Sequence, residues 1–592
     1  MENNKNLTLL FLGILISISA IVYLNTISKS FFWDDELLVK NNVHIRSLKN
    51  IPVFFNPGYA NVYESAGGGR YRPLRTTSFV FDHLLWGEDA RGYHVTNIIL
   101  HISATLILFF LVKIMTGNNL AAFLSGLVFA VHPIHTESII FIKNRSDVLC
   151  AIFYFLSMLL FVKFVKDKPP RLKGIGIYIS GLAVFCLSLL SKEMAVTLPF
   201  MLLCYVFFFR GGLPEQPLRG IMKKVYLTIP YFLILAAYFA FRKFVMKGGY
   251  ALEIASLKEK FFIIAETAGG YIKLVFLPFN LSADRSLLVS GRLVDLEVIM
   301  FLIIILAVVP LIMIKRNELS FWAFFFIFCI IPVSNLVFLA GRPFAEQRMY
   351  LPSAGMAVFT GILLGKAIKY KKIAGIVLTL FVVMTYSYAA INRNSDWKDE
   401  KTFWKKTSES NPHSARALQN LSIVYGKEGR YGEAIECLNK SLKINDKFID
   451  SYNTLGWLYY KMNLYERSAE VFEKGLKLEP RHYDMATNLG AVYSILGKYE
   501  KAYGLYRKTL DTVPWSYRTY YNLGVTCVVM KRYGEAIDCF YRSIELNPFD
   551  DDPYRKLIEV YETMADYREV EKVKELAGKY GVNLLKREGN ER

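Results

Sequence analysis

Apolar runs of about twenty residues recur through the first two-thirds of the chain, and no other feature limits its fold as much. At 1.5 Å of rise per residue, a helix needs about twenty such residues to cross the hydrocarbon of a bilayer. The runs fall at 8–26, 97–112, 119–135, 147–165, 175–190, 195–209, 225–241, 297–314, 319–339, 353–365 and 373–390, which predicts eleven spans. The segment 258–280 is apolar but interrupted by Glu266, Gly269, Gly270, Lys273 and Pro278, and reads as interfacial or re-entrant. Residues 17–20 loosely fit a small-residue cleavage site, but the apolar run continues through Ile21, Val22, Tyr23 and Leu24, which favours an uncleaved first span.

Composition agrees. The chain is 53% hydrophobic and 21% charged, against roughly 45–50% and about 25% in soluble domains. Its 44 Phe and 37 Tyr exclude disorder for the bulk of it. Seven cysteines in 592 residues exclude a disulfide scaffold. The net charge of +20 first suggests a nucleic-acid binder. Residues 391–592, however, hold 33 basic and 30 acidic residues, whereas residues 1–390 hold 38 and 21, so the excess lies in the apolar half. Basic loops between membrane spans have that signature, and no nucleic-acid partner is expected. One set of short loops carries sixteen Lys and Arg, from Lys113 through Lys372, and the opposite set carries five. The richer set is expected to be cytoplasmic, which puts the N-terminus inside. The loops 27–96 and 242–296 and everything after 391 are then outside, in a cell or inner membrane.

The remaining third has a period of 34. Tyr431, Tyr465, Tyr499, Tyr533 and Tyr567 are each 34 apart, and Leu455-Gly456, Leu489-Gly490 and Leu523-Gly524 repeat at the same step. Pro480, Pro514 and Pro548 close successive units. These are the marks of tetratricopeptide repeats, here at 415–448, 449–482, 483–516 and 517–550 with a degenerate cap at 551–584. A half repeat at 397–414 carries Trp397, Trp404 and Pro412. The expected architecture is all-α: a polytopic helix bundle over 1–392 and an α-solenoid over 393–592, whose concave face suits an extended peptide or a protein partner. The repeated tyrosines are expected to pack between helices.

Polar residues cluster at the expected outer ends of the spans. Trp33-Asp34-Asp35-Glu36 follows the first span, and Arg70-Tyr71-Arg72 lies further along that loop. His132-Pro133-Ile134-His135-Thr136-Glu137 leads into Asn144-Arg145-Ser146-Asp147. Lys192-Glu193 and the stretch Arg342 to Ser353, containing Glu346, Arg348 and Tyr350, complete the set. Charges at a bilayer boundary are expensive unless they have a task. An aspartate can take a proton from a hydroxyl, and Arg or Lys can hold a phosphate leaving group. Each group also has a plain structural reading. The Asp pair could cap a helix, the two histidines could be hydrogen-bonded rather than metal ligands, and Lys192-Glu193 could be a local ion pair.

Taken together, the Asp-Asp after the first span, His132 to Asp147, Lys192-Glu193, Glu346 to Ser353 and the repeats resemble the transmembrane-and-tetratricopeptide O-mannosyltransferases of the GT-C superfamily. The resemblance implies a lipid-phosphate sugar donor, polyprenyl or dolichyl, and a protein hydroxyl acceptor. It implies Asp34 and Asp35 as the catalytic pair that supplies the general base. Arg348, Arg342, Arg145, Lys192, Arg72 and Tyr350 are the expected donor-binding groups, and His132, His135, Glu137, Glu193 and Glu346 the supporting ones. It names no certain cofactor and leaves a divalent metal open. The four good repeats are fewer than relatives often have, which suggests a prokaryotic relative with a sugar that need not be mannose. A membrane scaffold without catalysis, or a glycan polymerase or ligase using a lipid-linked donor, remain as alternatives.

Overall fold

The computed structural model describes residues 2–56, 59, 71–167, 169–209, 224–245, 256–279, 281–285, 292–335, 344–582 and 584. They form two compact units, 1–412 and 413–592. The first unit thus runs past the boundary at 392 expected from hydropathy, because the helix Glu400–Ser410 and Trp397 pack with the membrane half.

The chain is an integral membrane protein, but the count of eleven full spans needs correction. Among the described residues seven helices are long and apolar enough to cross: Lys5–Thr26, Ala90–Thr116, Ile142–Asp167, Arg171–Ser191, Lys224–Lys243, Leu296–Lys315 and Lys372–Ser395. An eighth is a bent pair, Asn119–Val131 and Pro133–Ile140, which turn by 51°. The helix before the bend has 13 residues, about 20 Å at the standard rise and short of the ~30 Å core. The other expected spans are the shorter apolar helices Glu193–Phe208 and Glu318–Val333 and the helix Ser353–Tyr370, which carries Lys366 and Lys369. Polar or proline breaks at one end stop these helices early: His132-Pro133, Lys192 and Pro352. The segment read as interfacial or re-entrant is one unbroken helix, Leu257–Phe276, started by a capping box between Ser256 and Glu259.

The bundle core is a large apolar cluster that includes Phe129, Phe155, Trp322 and Phe325. Close helix approach depends on small residues, as is usual where lipid offers no hydrophobic contrast. A Cβ on Gly361 would lie 2.4 Å from the backbone N of Ser125, so Ser353–Tyr370 and Asn119–Val131 touch through backbone.

The second unit is five helix pairs. The first begins at Ala415–Lys427 and Tyr431–Ile444, and the last is Asp551–Thr563 and Tyr567–Lys579. The repeated tyrosine is the first residue of each second helix. The turn inside each pair passes through a left-handed residue at the same period: Gly429, Asn463, Gly497, Lys531 and Ala565. The repeated glycine admits an aromatic ring of its partner helix, for a Cβ on Gly490 would sit 2.4 Å from the Tyr506 ring.

Candidate active site

A turn sets the acid pair. The Asp35 N–H donates to the Phe32 carbonyl at 2.9 Å, making Trp33 and Asp34 the central residues. Trp33 has φ of 52°, a left-handed conformation that this position of a turn normally reserves for Gly, Asn or Asp. Holding a bulky residue there costs about 1–3 kcal/mol. Several contacts offset it. The Trp33 ring stacks on Phe141, with centroids 5.6 Å apart and planes 3° apart. Trp404 meets it edge-on at 5.0 Å. The Lys143 ammonium lies 5.7 Å from the ring centre, and the Trp33 N–H donates to Glu400 Oε1 at 3.1 Å.

The two aspartates come out different. Asp34 keeps 31% of its side chain exposed and pairs with Lys143 Nζ. Asp35 is buried, and its Oδ1 accepts the Lys143 backbone N–H at 2.8 Å. Its Oδ2 has no hydrogen-bond partner among the described residues. Burial pushes the Asp35 carboxyl up to about 8, with the neighbouring Asp34 adding to the rise. Asp35 therefore favours its protonated form far more than an ordinary carboxyl does, while Asp34 pairs with the Lys143 ammonium.

The segment 142–147 serves as a hub. It is a 3₁₀ turn, Ile142–Asn144, that opens the helix Arg145–Asp167. Lys143 reaches the acid pair. Arg145 is fully buried and pairs with Asp82 at 2.5 Å. It also donates to Asn97 Oδ1 at 2.6 Å, Ser78 Oγ at 3.3 Å and the Tyr93 carbonyl at 3.1 Å. Asp147 pairs with Lys192 at 2.5 Å. Arg72 grips Glu193 with both carboxylate oxygens in range, at 2.9 and 3.2 Å, and its other end nears Ser146 Oγ at 3.5 Å. Arg145 is thus corrected from a donor-binding cation to a structural ion pair. Lys192 is likewise held in the interior. Its expected partner, Glu193, bonds instead to Arg72, because Lys192 is extended at φ −161° and the two side chains diverge.

Tyr350 is corrected in the same way. It is fully buried, and its hydroxyl lies 2.7 Å from His101 Nδ1. His101 Nε2 donates to the Ala130 carbonyl at 3.1 Å, which leaves Nδ1 to accept from Tyr350. Ser353 Oγ donates to the Tyr350 carbonyl at 2.9 Å and accepts from His135 Nε2 at 2.7 Å. His132 Nδ1 accepts the Ile134 N–H at 3.1 Å, so Nε2 carries the proton and donates to the Val275 carbonyl at 2.9 Å. With both nitrogens committed, His132 does not pair with His135 as a metal ligand. Tyr350 to Ser353 and the two histidines lock the bent span.

Glu346 is buried against Arg393 at 3.4 Å and Arg285 at 3.6 Å; burial raises its carboxyl above the ordinary range while the two arginines oppose the rise. Glu137 is buried beside the Gln347 amide. Arg348 is half-buried on the turn Glu346–Met349. Arg342 lies outside the described residues. The one group of three His, Cys, Asp or Glu close enough for a metal, among the described residues, is Asp550, Asp551 and Asp552 in the repeats. There Asp550 caps the helix Asp551–Thr563.

In the sequence Lys143 is one of the five cations of the poorer loop set, and neither it nor Trp33 nor Glu400 carries an expected role. Nothing local marks them, since each acts on residues more than a hundred positions away.

Comparison with known proteins gives two kinds of match. Residues 80–241 match the family described as dolichyl-phosphate-mannose-protein mannosyltransferase. Residues 449–482 and 517–550 match tetratricopeptide repeats, and 424–463 a further repeat description. The chain is similar to protein O-mannosyl-transferase F38B6.6 of Caenorhabditis elegans, 27% identical over 74% of this chain and 63% of that one. It is 34% identical to protein O-mannosyl-transferase TMTC2 of Homo sapiens over 35% of this chain and 25% of that one. With TMTC1 of Homo sapiens it is 24% identical over 75% of this chain and 56% of that one. The matched region is thus less than two-thirds of the length of these relatives.

Proposed function

We propose that the chain is a transferase similar to the transmembrane-and-tetratricopeptide O-mannosyltransferases, and that it moves a sugar from a lipid-phosphate carrier to a hydroxyl of a protein acceptor. The observation that carries this reading is the acid pair held eight residues past the first span, with a partly exposed Asp34 beside Lys143. The carrier is a polyprenyl or dolichyl phosphate, the sugar mannose or a similar hexose. The reaction takes place on the outer side of the membrane, the side that the sixteen-to-five loop bias gives to the acid loop and the repeats when the shorter helices are counted as crossings.

In this reading Asp34 accepts the proton of the acceptor hydroxyl as the oxygen attacks the anomeric carbon. The bond between that carbon and the phosphate oxygen breaks in the same displacement, through an oxocarbenium-like transition state by analogy with glycoside hydrolysis. The lipid phosphate leaves with the bonding electrons. Asp35 is too buried to meet a substrate, and the burial that raises its carboxyl lessens the negative charge beside Asp34. Of the cations expected to meet the phosphate, Arg348 and Arg342 remain as candidates, since Arg145 is spent on Asp82, Lys192 on Asp147 and Arg72 on Glu193. The repeats present the protein acceptor.

The test is transfer from a polyprenyl-phosphate sugar to a Ser/Thr peptide by the purified full chain, read by mass spectrometry. Asp34→Asn keeps the shape but cannot accept the proton, and should cost ~10²–10⁴-fold in turnover. Wild-type transfer by both Asp34→Asn and Asp35→Asn would remove the base from this loop. A glycan product in place of a glycopeptide would move the chain to the polymerases and ligases. No transfer by the wild-type chain would leave a scaffold.

A further inference from the structure

The acid turn is buttressed by a helix that follows the last span. Glu400–Ser410 begins with Asp399 as its cap, whose side chain accepts the Thr402 N–H. It lays Phe403 against Phe32 at 4.8 Å and Trp404 against Trp33 at 5.0 Å, while Trp397 meets Phe32 at 5.5 Å and Phe141 at 5.8 Å. Its far end is fixed too. Ser410 Oγ lies 3.0 Å from Ser282 Oγ, and Asn411 Nδ2 donates to the Asp284 carbonyl at 2.9 Å. Glu400 supplies the polar contact to the turn, accepting the N–H of the left-handed Trp33.

Resting on the proposed transferase reading, we infer that Glu400 is a positioning residue of the acid site: by accepting the Trp33 N–H it holds the turn that aims Asp34 at Lys143 and Asp35 at the Lys143 backbone. The physical reason is leverage. Trp33 is the first central residue of the turn, so relaxing its φ toward negative values swings the next two residues. In an enzyme a misplacement of about 1 Å can cost roughly a hundredfold in rate. A group that accepts the backbone N–H of residue 33 therefore sets where two carboxylates stand. The helix that carries Glu400 leads directly into the first repeat.

The experiment uses the full chain and three variants. Glu400→Ala removes the acceptor; Glu400→Gln keeps an oxygen that accepts the same N–H. Glu400→Ala should lower kcat for peptide glycosylation about ten- to a hundredfold with the donor KM within about twofold, and Glu400→Gln should restore most of it. Amide hydrogen exchange at 33–36 should quicken in Glu400→Ala alone, with exchange in the spans unchanged. Unchanged kcat and unchanged exchange in Glu400→Ala would overturn the inference. So would an equal loss in Glu400→Gln, which would assign the effect to the charge. Asp34→Asn serves as the third variant. If it transfers normally, the acid-site reading fails; if it is inactive while Glu400→Ala is not, only the positioning role fails. The exchange measurement decides the contact itself whether or not transfer is detected.

Discussion

Arg145 is where a phosphate-binding role and a structural role part most sharply. Its guanidinium is wholly buried and paired with an Asp82 that is equally buried, and it donates to Asn97, Ser78 and the Tyr93 carbonyl besides. Removing one member of such a pair leaves a charge without its counter-ion, at a cost of about 3–5 kcal/mol. Asp82 would retain the Thr96 hydroxyl, 2.8 Å away, but no cation among the described residues. Replacing both members by apolar residues of similar volume is often neutral or better. Arg145→Met alone should therefore sharply lower the yield of monodisperse, detergent-solubilised protein and its melting temperature, and Asp82→Leu alone should do the same. The double variant should recover most of both, a coupling of about 3 kcal/mol. It should also recover sugar transfer, because nothing in this arrangement lets Arg145 reach a donor. The assay is a thermal melt of the four proteins beside peptide glycosylation at saturating donor. A double variant that folds like wild type but has lost donor binding would refute the structural assignment and return Arg145 to the phosphate site.

Three further outcomes are expected. Asp35 retains its proton in the folded state up to about pH 8 but not in the unfolded state, where it titrates near 4; its contribution to stability is thus full below pH 4 and is lost as pH rises to about 8. The wild-type melting temperature should fall more steeply than that of Asp35→Asn between pH 5 and 8, and parallel curves would refute the burial argument. Gly361→Leu should abolish folded protein, since even a Cβ there meets the Ser125 backbone at 2.4 Å, whereas Gly176→Leu, with open space around its Cβ, should be tolerated; size-exclusion chromatography of tagged chains reads both. A reporter placed after residue 391 should score outside and one after 371 inside, and the reverse result would put the acid loop and repeats on the wrong side for the proposed chemistry.

Periodicity made much of this protein legible in its sequence. Hydropathy at the length of a bilayer located the long apolar helices of the bundle, although it read four short or bent ones as spans and left the helix Pro73–Trp86 inside a loop. Hydropathy windows cannot see that His132-Pro133 turns a helix or that Lys192 ends one. The 34-residue period placed the repeat helices because each unit meets only its neighbours, so local pattern and tertiary contact coincide. The acid pair was visible too, as charge at a membrane boundary. The division of labour around it was decided only by tertiary structure. Arg72, Arg145, Lys192 and Arg348 look alike as outer-loop cations, yet Asp82 and Asp147 bury two of them in ion pairs from distant segments. Lys143, an unremarked loop lysine, meets both aspartates across more than a hundred residues. Asp34 and Asp35 are adjacent and chemically identical in the sequence. The left-handed turn at Trp33 sends one toward solvent and the other into the protein, and burial then separates their protonation.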